Sequence, residues 1–192
     1  MPNWCTNTLI ISGDKKVLKR FKELAKTKKS KFSLDNFIPY PKIYQDVKLE
    51  PMGGDGYNSY DLENNLLSGY NWCINNWGTK WDVTEVVLNE DLEVGRLEYN
   101  FDTAWSPPKE AIEKIALMFP TLLFDLVYTE EGCAFEGKMI IRNNVKLTDV
   151  CMDMPSFRCK KCGNKQTLRS SCDLSEEECW ECGKTGTLEA VK

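Results

Sequence analysis

Residues 96–128 read RLEYNFDTAWSPPKEAIEKIALMFPTLLFDLVY, a predicted strand, helix and second strand in succession. Arg96–Asp102 and Leu122–Tyr128 have the aromatic and β-branched composition that is typical of strands. Between them, apolar residues recur at helical spacing until Pro120 ends the pattern. The members of this stripe are Ile112, Ile115, Ala116 and Phe119. The stretch therefore predicts a β-α-β unit.

The segment Ser106-Pro107-Pro108 marks the predicted start of this helix. Serine is a favoured N-cap because its side chain accepts a hydrogen bond from an otherwise unpaired backbone N–H. Proline is favoured at the first helical position because it has no N–H to satisfy. We therefore expect Ser106 to cap the helix and Pro107 to be its first residue.

Two further strands flank the β-α-β unit. Asp82–Asn89 has strand composition and is joined to Arg96–Asp102 by an acidic turn that ends in Gly95, which predicts a hairpin. Ala134–Arg142 follows Leu122–Tyr128 across the turn Glu130-Glu131-Gly132, which predicts a last strand.

The chain begins with another strand and helix. Thr6–Ser12 is rich in aliphatic and β-branched residues and ends at Gly13-Asp14. An apolar stripe at helical spacing follows, with lysine and arginine on the other faces of the predicted helix. Its members are Val17, Leu18, Phe21, Leu24 and Ala25.

Residues 32–78 are interpreted as an insertion or lid. Three prolines at 39, 41 and 51 exclude a long helix from its first half, and Gly53-Gly54-Asp55-Gly56 indicates a flexible loop. A second helix is predicted over about 61–77, where Gly78 would supply the left-handed C-cap.

The element order is β-α-(insertion, α)-β-β-α-β-β, and its βαββαβ series predicts an α+β fold of the ferredoxin-like split βαβ type. In that fold an antiparallel sheet carries its helices on one face. We assign residues 1–150 to this domain, with the insertion at about 32–78, and residues 151–192 to a C-terminal zinc ribbon with four cysteine ligands.

The 192-residue chain contains no histidine. Mechanisms of the Ser-His-Asp, Cys-His and HExxH kinds are therefore excluded, and so is a zinc site built from two cysteines and two histidines. No apolar run reaches the roughly 18 residues of a membrane span, and the first residues do not resemble a signal peptide. We expect a cytoplasmic protein that does not enter the membrane.

The net charge of −4 is unevenly distributed. Residues 1–45 hold ten basic and three acidic residues, residues 46–157 hold eight and twenty, and residues 158–192 hold seven and six. Partners of this protein should therefore be sought at local patches of charge.

Two CxxC units, each followed by glycine and separated by sixteen residues, predict a metal site. Their cysteines are Cys159, Cys162, Cys179 and Cys182. Each CxxC turn lets two thiolates converge, and four thiolates fill the coordination sphere of one structural Zn²⁺. Iron in a rubredoxin-like site and a redox CxxC pair are the alternatives. A fifth thiol, Cys172, is interpreted as a bystander that could replace a ligand.

Three strings combine tryptophan with small polar residues at the ends of predicted elements. They are residues 1–7 (MPNWCTN), 76–82 (NWGTKWD) and 101–108 (FDTAWSPP). Capping and core packing explain much of this composition. A concave, partly desolvated ligand pocket is the alternative. The predicted pocket residues are Asn76, Trp77, Lys80, Trp81, Asp82, Thr103, Trp105 and Glu130.

At these strings the sequence resembles the YubB-type ferredoxin-like family, which is found on plasmids, phages and other mobile elements and has no established function. Further matching motifs are Ile38-Pro39-x-Pro41, Phe119-Pro120 and Tyr128-x-Glu130-x-Gly132-x-x-Phe135-x-Gly137. The resemblance spans nearly all of residues 1–140. It implies a ferredoxin-like fold and a mobile-element protein, and it implies no catalytic residues.

The first functional hypothesis is a non-enzymatic, nucleic-acid-associated protein. A basic first helix and the basic side of the ribbon could neutralise phosphates, and exposed tryptophan could stack on bases. The predicted contacts are Lys15, Lys16, Lys19, Arg20, Lys22, Lys26, Lys160, Lys161 and Arg169. Lys28, Lys29 and Lys31 extend the basic helix as a tail.

Two alternatives use the tryptophan-rich strings instead. The first is a factor that binds a small ligand or a host protein in the predicted pocket. The second is a hydrolase in which Asp82, Glu130 or Glu131 acts as the base and Lys80 as its electrostatic partner, which requires a carboxylate with a raised pKa. The ribbon itself would either bind a partner or dock on the main domain.

Overall fold

The computed structural model describes residues 3–44 and 69–191, which form two antiparallel sheets and three helices. The larger sheet has six strands: β1 (Trp4–Ser12), β2 (Thr84–Asp91), β3 (Arg96–Ala104), β4 (Leu123–Glu130), β5 (Phe135–Arg142) and β6 (Val145–Asp153). The helices are α1 (Lys15–Ala25), α2 (Gly69–Trp77) and α3 (Lys109–Met118). A 3-10 turn covers Lys42–Tyr44.

The strand order of the larger sheet is β2-β3-β1-β4-β5-β6. Its first four strands, with α1 and α3 as the connections that cross between them, give the βαββαβ arrangement of a ferredoxin-like fold. Strand β1 lies at the centre, where Leu9 is opposite Tyr99 of β3 on one side and Leu126 of β4 on the other. The predicted ferredoxin-like fold and the β2–β3 hairpin are therefore confirmed.

Alternation along the strands places the core on one face of the sheet. In β1, Leu9 and Ile11 are fully buried, whereas Thr6 and Thr8 lie on the open face. The ring of Phe21 on α1 packs against Phe119, at 5.2 Å between ring centroids. The buried face therefore carries the helices, and the other face of the sheet stays open.

The beginning of the predicted insertion contributes to this core. Phe32, Leu34 and Phe37 are all buried, and the Phe37 ring lies 5.2 Å from that of Phe21. Residues 45–68 lie outside the described residues, and so does the first part of the helix predicted from residue 61. The end of that helix is confirmed, because α2 stops at Trp77 and Gly78 has φ of 80°.

The start of α3 differs from the prediction. The helix begins at Lys109 with Pro108 as the N-cap residue, and Ser106 lies outside it. The physical reason is that a residue before proline is driven away from helical dihedral angles, and Ser106 and Pro107 both precede a proline. The Ser106 hydroxyl instead donates to the Gly78 carbonyl oxygen at 2.5 Å.

Strand β6 was not predicted. It pairs with β5 at the edge of the sheet, and it passes through residue 150, the predicted end of the first domain. Its helix-facing charges pair with α3, where Lys146 lies 2.5 Å from Glu113 and Asp149 forms an ion pair with Lys109. The apolar side chains of this strand, Val145, Leu147, Val150 and Met152, recur at every second position on either side of the register shift and are exposed. The described contacts of β6 with α3 are therefore these ion pairs.

The C-terminal residues form a three-stranded sheet of order β8-β7-β9. Its strands are β7 (Ser156–Cys159), β8 (Lys165–Thr167) and β9 (Leu188–Ala190), and Phe157 and Leu188 are buried between them. We call residues 154–191 the Cys module. Within the described residues no helix is long and apolar enough to cross a bilayer.

Candidate functional site

The four cysteines of the CxxC units come together in the Cys module. All four Sγ atoms lie within 4.8 Å of one another, with 3.8 Å between Cys159 and Cys182 and 3.5 Å between Cys162 and Cys179. A tetrahedral site with metal–sulfur bonds of about 2.3 Å requires sulfur atoms about 3.8 Å apart. These cysteines therefore could hold a metal ion.

The two CxxC turns have the same backbone geometry. In each, the glycine after the second cysteine donates its N–H to the carbonyl of the first cysteine, from Gly163 to Cys159 at 2.9 Å and from Gly183 to Cys179 at 2.8 Å. The positive φ angles, 78° and 63°, explain why glycine occupies these positions. Tight turns of this kind point both thiols of a pair at one spot.

The pKa is lowered for the thiols of Cys159 and Cys179 and raised for those of Cys162 and Cys182, and hydrogen bonds favour the thiolate form at Cys159. The Thr187 hydroxyl lies 3.2 Å from the Cys159 sulfur, and the Lys161 N–H donates to the same sulfur at 3.4 Å. The Thr187 hydrogen bond first, and the backbone N–H groups of the turn next, lower the pKa of the Cys159 thiol to about 6. A thiolate is the form that binds a metal ion.

Cys172 does not belong to the group of four. Its half-buried side chain packs, together with Leu174, against the small apolar core of the Cys module. Burial raises the pKa of this thiol. Cys172 thus has the surroundings of a packing residue.

The three tryptophan-containing strings meet at one corner of the larger sheet. The Thr79 hydroxyl donates to the Ala104 carbonyl at 3.0 Å, and the Trp105 N–H donates to the Asn3 carbonyl at 3.0 Å. Asn7 donates its side-chain N–H to the Thr103 hydroxyl at 2.9 Å. Much of the polar composition of these strings therefore serves to join β1, β3 and the segment after α2.

Several predicted pocket residues have structural roles in this corner. Trp77 is buried, and its indole N–H donates to the Ile38 carbonyl at 3.0 Å. Asp82 accepts hydrogen bonds from the Leu34 N–H at 2.7 Å and the Ser33 hydroxyl at 2.5 Å, which anchors the chain that follows α1.

Three others make comparable contacts. Thr103 is fully buried and donates to the Ser106 carbonyl at 2.8 Å. Asn76 accepts a hydrogen bond from the Lys114 ammonium at 2.7 Å. The buried Glu130 carboxylate accepts from the backbone N–H groups of the turn that follows it, at 2.8 and 2.5 Å.

The remaining aromatic residues lie at the surface of the same corner. Lys80 Nζ is 5.1 Å from the centroid of the Trp81 ring, and Trp81 packs edge-to-face against Trp4 at 6.3 Å. Trp4 and Trp105 are each 41% exposed. Thus Lys80, Trp81 and Trp4 form a continuous row of contacts.

A cleft of about 310 Å³ opens beside Trp4, between the larger sheet and the Cys module; we call it the Trp4 cleft. Its lining residues are Asn3, Trp4, Thr6, Thr129, Glu130, Glu131, Gly132 and Arg169. Of the predicted pocket residues only Glu130 lines it. Alternation along β1 is the sequence signal for this surface, because it places Trp4 and Thr6 on the face opposite Leu9.

The predicted basic face of α1 is partly neutralised. Lys15 pairs with Glu93, Lys22 with Glu90 at 2.7 Å and Lys26 with Glu23 at 2.5 Å. Arg20 lies over the Phe119 ring at 5.9 Å. Lys16 and Lys19 form no ion pair with any residue that the structure describes.

A second cleft, of about 520 Å³, lies where the chain leaves α1; we call it the lysine cleft. Its lining residues are Thr27, Lys28, Lys29, Ser30, Lys31, Glu85, Val86 and Val87. The Thr27 hydroxyl accepts hydrogen bonds from the N–H groups of Lys29 and Ser30, which fixes the turn. Among the described residues, the three lysines form no ion pair.

The predicted contacts of the Cys module differ from one another. Arg169 pairs with Glu131 of the larger domain at 2.9 Å, and Lys160 lies 3.8 Å from Glu189. Lys161 is exposed and forms no ion pair within the described part of the chain. Trp180, which follows Cys179, is 67% exposed.

Residues 76–170 match the family model described as a ferredoxin-like domain in Api92-like protein. The crystal structure of a protein api92 from Yersinia pseudotuberculosis has the same fold, with a TM-score of 0.53 and 10% identity over 78% of this chain and 98% of that chain. No curated protein matches this chain. The YubB-type resemblance and the mobile-element origin that it implies stay predictions.

Proposed function

We propose that this protein, whose residues 76–170 match the model of a ferredoxin-like domain in Api92-like protein, binds nucleic acid without catalysing a reaction. The observation that carries the proposal is the lysine cleft. Three lysines, Lys28, Lys29 and Lys31, line one concave surface and form no ion pair among the described residues. Unpaired cations in a concave surface attract a polyanion such as a phosphate backbone.

The contrast with α1 supports this location. Lys15 and Lys22 of α1 and Lys26 at its C-terminal end already have glutamate partners, and a phosphate would have to displace a carboxylate to reach them. Among the described residues that line the lysine cleft, Glu85 is the one acidic residue. Release of counterions from the nucleic acid then favours binding without such competition.

The open face of the larger sheet is a poor surface for phosphate. It carries the carboxylates of Glu98, Asp102, Asp125 and Glu136, as the strand pairings show. Lys138 on the same face is paired with Asp125 at 3.0 Å. These carboxylates repel phosphate, so the phosphate backbone of a bound nucleic acid should avoid the centre of this face.

We further propose that the four cysteines bind one structural Zn²⁺. Four thiolates leave no open position for a substrate, and the Cys module has only a small apolar core of its own. The folding free energy of such a module must come largely from the metal ion.

A hydrolase receives less support from the described contacts. The carboxylates of Asp82 and Glu130 already accept two or more hydrogen bonds each from neighbouring N–H and O–H groups. These bonds anchor the chain, and they give each carboxylate a structural role.

The test compares two triple variants by fluorescence anisotropy with labelled 20-nucleotide single strands and duplexes. The variant Lys28→Gln/Lys29→Gln/Lys31→Gln removes three cations that form no ion pair among the described residues. The variant Lys15→Gln/Lys22→Gln/Lys26→Gln removes three cations that are paired with glutamates. We expect the first variant to lose at least about 10-fold in affinity and the second to lose much less. Equal losses, or no binding by the unmodified protein, would contradict the proposal.

A further inference from the structure

We propose that the Trp4 cleft binds an unpaired nucleobase, with the base stacked on Trp4 and its polar edge directed at the rim of the cleft. The inference rests on the proposed function for the source of that base, a single-stranded nucleic acid. The inference goes beyond the proposed function because it adds a second site, separate from the lysine cleft, that recognises bases.

Trp4 offers a fixed stacking surface. It is the first residue of β1 and lies on the open face, where it is opposite the small side chain of Ala104. Its indole is 41% exposed, and Trp81 packs against it edge-to-face. Lys80 in turn lies over Trp81. A ring held in this way stacks on a base with little loss of side-chain freedom.

The rim of the cleft suits the edge of a base. Thr6 and Thr129 are opposite each other on β1 and β4, so their side chains lie side by side on the open face next to Trp4. Asn3 adds an amide, and the Arg169–Glu131 pair adds donors and an acceptor. Base edges combine donors and acceptors, which this mixed set can match.

Size and charge favour a base over a phosphate at this place. The volume, about 310 Å³, is at the lower end of the range for small-ligand sites, about 300–1,000 Å³. Among the described residues, Glu130 and Glu131 line the cleft together with Arg169. This balance repels a phosphate and accepts an uncharged heterocycle.

The cleft also gives the Cys module a role. Arg169 belongs to that module, and the next residue, Ser170, donates its N–H to the buried Glu136 carboxylate at 3.2 Å. The side of the cleft that Arg169 forms therefore depends on docking of the module, whereas the other lining residues belong to the larger domain. A paired base cannot enter such a cleft without leaving its helix, so single strands should bind more tightly than duplexes.

The experiment uses the full chain loaded with zinc and two kinds of probe. Free nucleosides are titrated while the indole N–H signals are followed by NMR, and 20-nucleotide single strands and duplexes are compared by anisotropy. We expect a saturable shift of the Trp4 signal and tighter binding of single strands. Trp4→Leu should weaken single-strand binding roughly 5- to 150-fold, as loss of one stacked base does, and leave duplex binding unchanged.

Two further variants test whether the effect is specific to the cleft. Thr6→Phe retains Trp4 but fills the cleft, so it should reproduce the single-strand loss. Trp180→Leu removes an equally bulky and more exposed ring outside the cleft, so it should bind as the unmodified protein does.

The outcomes separate the two proposals. If single strands and duplexes bind equally and neither Trp4→Leu nor Thr6→Phe changes this, the cleft proposal is overturned while nucleic-acid binding stands. A second outcome is that no oligonucleotide binds, but nucleosides shift the Trp4 indole signal saturably and Thr6→Phe abolishes that shift. In that case the Trp4 cleft binds bases, and the proposal that the lysine cleft binds nucleic acid is overturned. Absence of any Trp4 response to nucleosides overturns the cleft proposal in either case.

Discussion

The guanidinium of Arg169 lies 2.9 Å from the carboxylate of Glu131, and this ion pair joins the Cys module to the turn after β4. The Ser170 N–H beside it donates to the buried Glu136 carboxylate. Exposed ion pairs contribute about 0–1 kcal/mol, whereas a hydrogen bond to a charged group contributes about 1.5–3 kcal/mol. Docking of the module should therefore depend more on Glu136 than on Glu131.

The first prediction follows from that difference. Glu136→Ala should increase hydrogen exchange of the Cys module backbone around residue 170, because the Ser170 N–H loses its partner. Glu131→Ala is the control and should change exchange little. Equal effects of the two variants would contradict the prediction, because they would show that the exposed ion pair contributes as much to docking as the Glu136 hydrogen bond.

The second prediction concerns the metal ion. Elemental analysis should find one zinc per chain, and Cys162→Ser should lose it together with the near-ultraviolet circular dichroism of the Cys module. The metal contributes an apparent free energy of about 10–16 kcal/mol in comparable modules, so a chelator should unfold residues 154–191 first. Cys172→Ser is the matched control, because Cys172 lies outside the group of four. Loss of zinc in Cys172→Ser as well would contradict this assignment.

The third prediction assigns Asp82 to stability. Its carboxylate anchors the backbone of Leu34 and the hydroxyl of Ser33, both of which are buried. Asp82→Ala should lower the free energy of unfolding by about 3 kcal/mol, measured by urea denaturation, because it leaves these donors unpaired. Asp102→Ala, on the open face, should cost less than about 0.5 kcal/mol. Unchanged stability of Asp82→Ala with loss of a hydrolytic activity would return Asp82 to a catalytic role.

The fourth prediction concerns Gly137 on β5. A Cβ atom at this position would be forced against the Tyr128 hydroxyl and the Val150 carbonyl, and the backbone carbonyl cannot move without breaking the β5–β6 pairing. Gly137→Ala should therefore cost about 1–3 kcal/mol. The adjacent Lys138→Ala removes only an exposed ion pair and should cost no more than about 1 kcal/mol. Comparable unfolding free energies for the two variants would argue against this close packing.

Local patterns were sufficient for much of the fold. The helical stripe from Ile112 to Phe119 and the alternation in β1 specify their elements without long-range information. The CxxC spacing likewise identified the four cysteines that meet in the Cys module. Strand β6 was missed although Val145 and Leu147, and again Val150 and Met152, alternate with polar residues. These side chains are exposed at a sheet edge, and the ion pairs that join the strand to α3 are long-range contacts that sequence does not display.

The surface sites depend on contacts that sequence does not display. Whether a lysine has a partner depends on packing of α1 against the β2–β3 hairpin, which pairs Lys15 and Lys22 but leaves Lys28 without an ion pair among the described residues. The Trp4 cleft depends on docking of Arg169 from the far end of the chain. The tryptophan-rich strings predicted a site at this corner of the sheet. Only the fold shows that Trp77 is buried in the core whereas Trp4 is exposed.

The most direct test of nucleic-acid binding through the lysine cleft is the salt dependence of affinity for a 20-nucleotide single strand, measured with the unmodified protein. Three phosphate contacts predict a slope of log K against log salt of about −2, since each contact contributes about −0.7 on single strands. The variant Lys28→Gln/Lys29→Gln/Lys31→Gln should bring that slope close to zero. A slope near zero for the unmodified protein, or a slope that the variant leaves unchanged, would contradict the account.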